Sequence, residues 1–519
     1  MSNSQPTKIL LVRPPYYYWP IINKSDNFLA PLNLPTLGAY LREKMDNVEV
    51  KVVDCMPEQI GFASLKRIME EEHPDVVGVG DMICFHKEGM KTLALAKEID
   101  PECITLAGGP FFSHMAEYAL SNCPQLDYVV KYEGEETTRD LLETLRQGKD
   151  ATKVRGIAYR DGGKVVETPP RPLIEDLDSL PIPAYDLIPM HKYSPVGMLW
   201  RRAATVQASR GCPYACDYCT WTVTEGEYSE DADGKVQFTP RIRMKSPARM
   251  IQEIELLYEK YGTRYLFWVD ATWNYDIEWL DEFSSELIRR NYDIGWWAFT
   301  RADLMLEQEK AGVLEKMVKA GLRHCLFGAE RGTQEGLDTV GKYGTTPDDF
   351  VQCCHLLERK YPEVFRQACF LVGLADDTPQ ALDDLFEYIL ETHVDFAAIH
   401  AFMPYPGTPS FEKCKHLIEE WDYSKWDMFY PVMRTEHMSR EAIAAHTKKL
   451  NLEFVRRQPL RYLKGMFSRH LLRRRLHWWF AYSFGRVIMR DLIKSALRRK
   501  AFEGYAGVQS LWKPEWYDS

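Results

Sequence analysis

Cys212-Pro-Tyr-Ala-Cys216-Asp-Tyr-Cys219 sets three thiols in one short run, spaced C-x3-C-x2-C. Thiolates held that close can each ligate one iron of a [4Fe–4S] cluster and leave the fourth iron open. An open iron can bind a small molecule and pass an electron into it. The other readings of such a run are a structural zinc site and buried free thiols. Zinc takes four ligands, usually as two paired clusters, and no second C-x2-C pair stands in the chain. Cys353 and Cys354 are adjacent and the others scattered, so the remaining nine of the 12 cysteines read as small buried hydrophobes.

The elements that must position these thiols follow from the pattern around them. Ala203-Ala-Thr-Val-Gln-Ala208 is short, apolar-biased and compatible with a strand, and Ser209-Arg210-Gly211 then turns the chain. The cysteines therefore lie in a loop after a strand. Beyond them strands and helices alternate, as a partial (β/α)6 barrel of the TIM type requires. The strands read as 264–270, 295–300, 324–330, 367–373 and 396–402, with helices over 248–261, 279–290, 313–320 and 379–391. Asp270, Arg301 and Glu330 fall at strand C-termini, facing the barrel mouth. A rim ion pair of Arg301 with Glu330 is the competing reading.

Ahead of the barrel, apolar strands at 8–12, 48–53, 75–80, 104–107 and 127–130 alternate with helical stretches at 34–44, 64–72 and 88–99. Alternation of this kind predicts an α/β, doubly wound, Rossmann-like parallel sheet with ligands at the strand C-termini. A tyrosine cluster, Tyr16–Tyr18, follows the first strand; Gly108-Gly109-Pro110 follows the fourth, and Tyr132-Glu133-Gly134-Glu135 the fifth. Four segments result: 1–147 as this domain, 148–195 as a hairpin and Pro-rich connector, 196–420 as the barrel, and 421–519 as a basic helical region.

Composition narrows the partners. The 519 residues are 45% hydrophobic and 27% charged, an ordinary globular mixture. The net charge of −10 hides a segment, 451–500, with 14 Lys/Arg against Glu453 and Asp491, a local balance of +12. The rest sums to −22, which argues against nucleic acid as partner. No apolar run of about 18 residues stands in the chain, and Met1 to Lys8 does not read as a signal peptide. A cytoplasmic, reducing setting follows from twelve cysteines without a secretory signal. Residues 471–493 mix Arg473–Arg475 with Trp478, Trp479, Phe480, Tyr482 and Phe484. Such a stretch either packs over the barrel with its basic face in water or lies as a peripheral helix on a membrane surface.

The cysteine run and its context resemble the radical S-adenosylmethionine (SAM) superfamily. That resemblance implies that SAM chelates the fourth iron and is cleaved to a 5′-deoxyadenosyl radical. It places Tyr218 beside SAM and makes Asp270, Arg301 and Glu330 its polar contacts. The first domain resembles the cobalamin-binding domain that precedes many of these enzymes, with Gly108, Gly109, Glu133 and Gly134 as cobalamin contacts. The D-x-H-x-x-G ligand motif of other cobalamin domains is missing after the first strand, and His86, in Cys84-Phe-His86-Lys-Glu-Gly89, reads as a loop or pocket residue. Cobalamin is therefore expected to bind without a protein histidine.

Gly328-Ala-Glu-Arg-Gly-Thr-Gln334 and Pro404-Tyr-Pro-Gly-Thr-Pro409 extend the resemblance over roughly residues 8–412. With Arg241–Pro247, Gly373–Pro379 and the basic tail, the chain resembles the anaerobic magnesium-protoporphyrin monomethyl ester cyclase branch. It departs from that branch at Cys219-Thr-Trp221, Trp268–Trp273 and the acidic insert Glu225–Asp233. The branch implies oxygen-independent oxidation of a bulky tetrapyrrole precursor, by ring closure or at a methyl group, with a flavodoxin or ferredoxin as low-potential electron donor. Trp221, Trp268 and Trp273, with Trp296 and Trp297, are the candidate stacking surface for a flat substrate. Two alternatives remain: a cobalamin-dependent C-methyltransferase, and a non-catalytic Fe–S or tetrapyrrole-binding protein.

Overall fold

The computed structural model describes residues 5–16, 29–80, 83–193, 202–230, 236–479, 481–482, 485 and 516–519. The expectations at Tyr17, Tyr18, the end of the acidic insert (231–233), Phe480, Phe484 and the basic residues from 486 onward lie outside them. Among the described residues no helix is long and apolar enough to cross a membrane.

The first domain is one seven-stranded sheet. Its strands are β1 (Thr7–Arg13), β2 (Val48–Asp54), β3 (Val76–Gly80), β4 (Ile104–Gly108), β5 (Tyr128–Val130), β6 (Ile157–Asp161) and β7 (Lys164–Glu167), in spatial order β2-β1-β3-β4-β5-β6-β7. β1 to β5 run parallel, whereas β6 and β7 add an antiparallel hairpin at the β5 edge. The hairpin expected in the connector thus belongs to the sheet. β1 shows why its sequence is apolar throughout: Ile9 and Leu11 enter one core cluster and Leu10 and Val12 the other, so both faces are covered.

The second domain carries β8 (Ala203–Val206), β9 (Ser209–Cys212), β10 (Glu227–Glu230), β11 (Val236–Thr239), β12 (Arg241–Met244), β13 (Tyr265–Trp268), β14 (Gly295–Thr300), β15 (Leu322–Glu330), β16 (Phe365–Val372) and β17 (Phe396–Ala401). Six form an all-parallel sheet in the order β8-β13-β14-β15-β16-β17, the incomplete barrel. β9 pairs antiparallel with β12, and β10 with β11.

Alternation along the strands decides what fills the barrel. Tyr265, Phe267, Phe365 and Trp297 pack in its lower half with Leu472 and Leu476 of the C-terminal helix at 471–479. That helix closes the end where the strands begin. Asp395 holds it there, accepting from Arg473 while sharing a buried 2.9 Å pair with Arg366. Over 471–479, the described helical part of this segment, the inner side chains pack on the barrel floor.

The chain end returns to the first domain. The N–H groups of Phe62 and Ser64 donate to the carbonyls of Tyr517 and Ser519 at 3.0 Å each. They open the helix Phe62–Glu72, whose N-cap Gly61 offers no side chain, so a distant peptide satisfies its orphan donors.

Candidate active site

The cysteine loop is held by its neighbours before it reaches any cofactor. Asp270 Oδ1 accepts from the N–H of Ala208 at 3.0 Å, the N–H of Ser209 at 2.5 Å and the Ser209 hydroxyl at 2.6 Å. Gly211 follows with φ of +83°, and a Cβ there would collide with the Arg241 carbonyl oxygen across the β9–β12 pair. The Gly211 N–H donates to Glu225 at 2.6 Å. Cys212, Cys216 and Cys219 then all reach one cavity of about 590 Å³.

Those thiols fit a cluster. Cys212 Sγ lies 3.4 Å from the Thr272 hydroxyl. Burial raises the Cys216 thiol above its ordinary value, and burial with the two neighbouring thiols pushes Cys219 up to about 12. Crowded, desolvated thiols favour a cation, because metal binding takes up their thiolate charge. Among the described residues no three His, Cys, Asp or Glu side chains close on a single ion. A cluster makes no such demand, since each thiolate meets a different iron.

A polar rim lies beside the thiols. Arg301, Glu330, Lys342, Tyr214 and Tyr218 line the same cavity. Arg301 pairs with Asp303 at 3.0 Å, donates to the Tyr343 carbonyl at 3.1 Å and stacks 3.7 Å above the Tyr214 ring. Glu330 sits at φ +59° where the β15–β16 register shifts, and its carboxylate meets Lys342 at 3.3 Å and the Tyr218 phenol. Arg301 and Glu330 thus have separate partners rather than each other. They present opposite charges to the cavity, a match for the carboxylate and ammonium of an amino acid.

Several expected contacts lie elsewhere. Asp270 does not line the cavity; it is fully buried and spends one carboxylate oxygen on the cysteine loop. Trp268 and Trp273 are 0% and 1% exposed and belong to the core with Trp279, Phe283 and Trp296. The cause is strand alternation: Phe267 points into the barrel, so Trp268 points out against the helix Ile277–Arg290. Trp297 faces the barrel interior against Phe267 and Phe299, below the mouth. Of the five tryptophans only Trp221 lines the cavity.

The first domain supplies the opposite wall. Ile83, Pro110, Phe111, His114 and Met115 line it, all from the segments that follow β3 and β4. Gly108, Gly109, Glu133 and Gly134 do not. Gly109, at φ +94°, turns the chain into the helix Pro110–His114 that makes the wall. Glu133 pairs with Arg210 at 3.1 Å and Arg243 at 2.9 Å and accepts from the Ile174 N–H at 2.7 Å. Its carboxylate therefore ties the domains together. His86 is enclosed by Phe111, Tyr118 and Tyr423, its Nδ1 bonded to the Ile83 carbonyl at 2.7 Å. It lies behind the wall, not on it.

This wall fits a large flat group such as a corrin, apolar over most of its area, at the strand ends where open sheets bind ligands. It carries one polar orphan: His114 Nε2 has no partner, and burial pushes the ring down to about 4, so it is neutral. His114, Lys342, Gln367, Cys369 and His400 reach the cavity although the sequence did not single them out. His400 had a signal, a lone imidazole in the apolar run 396–402. Lys342, in the turn after the helix Gln334–Thr339, had none.

Comparison with known proteins agrees with this architecture. Residues 18–142 match the B12 binding domain and residues 206–389 the Radical SAM superfamily. An uncharacterized methyltransferase of Pyrococcus horikoshii is 29% identical over 465 residues, 89% of this chain and 95% of that protein. The anaerobic magnesium-protoporphyrin IX monomethyl ester cyclase of Rubrivivax gelatinosus is 28% identical over 484 residues, 92% of this chain and 81% of that one. Among solved structures, the cobalamin-dependent S-adenosylmethionine radical enzyme OxsB, with aqua-cobalamin and S-adenosylmethionine bound, shares the fold with a TM-score of 0.69. The likeness covers 98% of this chain and 84% of that one at 15% identity. The chain thus carries a B12 binding domain followed by a Radical SAM domain, and its cofactors are those of the two domains: a [4Fe–4S] cluster, S-adenosylmethionine and cobalamin.

Proposed function

We propose that the protein removes hydrogen from an unactivated carbon of an apolar substrate held in a chamber that both domains wall. The observation that carries this reading is the single cavity of about 590 Å³, with three cysteines on one side and Pro110, Phe111 and Met115 on the other. When bound, the cluster with SAM supplies a 5′-deoxyadenosyl radical, and cobalamin supplies a methyl group or takes up an electron. The chain's own residues do the rest. Cys212, Cys216 and Cys219 ligate the irons. Arg301 and Glu330 orient the amino-acid end of SAM, and Tyr214 and Tyr218 wall it. Phe299, Leu326, Leu371, Phe402 and Met403 exclude water from the reacting carbon.

Two fates for the substrate carbon have support. Oxidation of a tetrapyrrole precursor is supported by likeness to the Rubrivivax cyclase across 92% of the chain. It draws on a flavodoxin or ferredoxin as reductant. Methylation is supported by the facing of both cofactor walls onto one chamber and by the Pyrococcus relative. One experiment separates them. The protein is purified without oxygen, reconstituted with iron, sulfide and cobalamin, and given reductant, methyl-labelled SAM and a panel of tetrapyrrole and lipid substrates. Label in the product means methylation; an oxidised, unlabelled product with 5′-deoxyadenosine means oxidation. SAM left intact with every substrate would refute both.

A further inference from the structure

The helix Pro459–Met466 and the helix at 471–479 cross closely enough that a Cβ on Gly465 would overlap the His477 ring. Together they make a slab with two unlike faces. Tyr462, Gly465, Leu472, Leu476 and His477 form the inner face, on the barrel floor. Leu460, Leu463, Phe467, Leu471 and Trp478 form the outer face, and are 80%, 49%, 74%, 48% and 49% exposed. Leu460 and Leu463 share one side of the first helix, and the second helix joins that side where Trp478 donates its indole N–H to the Met466 carbonyl at 3.0 Å and meets Phe467 edge-on at 6.4 Å. Contiguous exposure of large apolar side chains on this scale marks an interaction surface.

Charge says what it meets. From Phe454 to Trp479 the chain has eight Lys or Arg and no Asp or Glu. Arg456, Arg457, Arg461 and Arg473 are spent on Glu453, Glu387, Glu358 and Asp395. Lys464, Arg469 and Arg474 have no carboxylate partner among the described residues, and they border the apolar stripe. An apolar face edged by uncompensated cations complements an anionic lipid surface, where the side chains enter the headgroup boundary and the cations meet phosphates. A protein partner for the same face would have to bring its own acidic border.

We propose that this slab is a peripheral membrane-docking surface for anionic lipid. It seats the floor of the barrel on the bilayer, at the end opposite the cysteines. The docking is independent of the radical chemistry, so it stands or falls separately from the function proposed above.

The test is flotation of the full-length protein with vesicles of phosphatidylcholine alone and of phosphatidylcholine with phosphatidylglycerol. Binding is expected only with phosphatidylglycerol, weakened at about 1 M salt, where the screening length is about 3 Å. The double variant Leu460→Ser/Phe467→Ser should lose at least about tenfold in affinity, from the apolar burial given up, with thermal stability unchanged because both residues are exposed. Lys464→Glu/Arg469→Glu should lose a similar factor from charge alone. Three results would each overturn the proposal: no flotation with anionic vesicles, equal and salt-insensitive flotation with neutral ones, or a dimer in sedimentation velocity that the Leu460/Phe467 variant abolishes while vesicles stay unbound.

Discussion

The carboxylate of Asp270, at the end of the second barrel strand, lies 2.6 Å from the Ser209 hydroxyl, three residues ahead of the first cluster cysteine. Two backbone N–H groups converge on the same oxygen. Asp270 thus braces the loop that carries the thiols and does not line the cavity. Asp270→Ala should cost about 1–3 kcal/mol, the penalty for stranding buried donors, and should lower the iron retained per chain after reconstitution. Asp270→Asn, which keeps one acceptor oxygen, should recover most of the iron. Full iron in the alanine variant would remove the role.

Glu133 bridges the domains through Arg210 and Arg243. Burial would raise its carboxyl, but the two guanidinium groups hold it below its ordinary value. Glu133→Gln should therefore lower the thermal midpoint of cobalamin-free protein and speed proteolysis of the connector near residues 168–176. A cobalamin contact would behave otherwise, leaving the cobalamin-free protein unchanged and weakening only cofactor retention.

Asp395 locks the barrel floor. Burial alone would raise its carboxyl, yet Arg366 and Arg473 hold it well below the carboxylate range. A depressed folded value contributes stability above the unfolded value of about 4, and that stability is lost as pH falls below it. Asp395→Asn should cost about 3–5 kcal/mol at neutral pH, because the buried Arg366 loses its close carboxylate partner and keeps only Glu358 at 3.9 Å. The variant should also show a flatter decline in denaturant midpoint below about pH 4. An unchanged acid limb would contradict the pairing.

Tryptophans of one sequence stretch divide by role. Trp268→Ala opens a core cavity and should cost about 3–5 kcal/mol. Trp221→Ala, at a cavity-lining and half-buried position, should stay within about 1 kcal/mol of the parent while changing substrate turnover. Equal destabilisation by both would place Trp221 in the core too.

Much of this could be read from the chain. The apolar strands form both sheets, and the C-x3-C-x2-C run and the strand-terminal Arg301 and Glu330 line the cavity, where local pattern put them. Asp270 stands at the expected strand end, but its carboxylate turns to the neighbouring loop rather than to the cavity, a choice that local pattern does not contain. Glu133 followed the fifth strand as expected, but its partners are 77 and 110 residues away in sequence.

What the sequence determined by itself is the chemistry available: three thiols in one short loop, alternation that builds parallel sheets, and a C-terminal stretch without acids. Thiol spacing and side-chain periodicity are local, so they survive without knowledge of the fold. Only the tertiary structure decided which residues face the chamber. A one-residue change of strand phase sends a tryptophan to the core instead of the mouth. The wall of Pro110, Phe111, His114 and Met115 meets the cysteines only because the domains dock, through ion pairs between residues that no sequence window contains together.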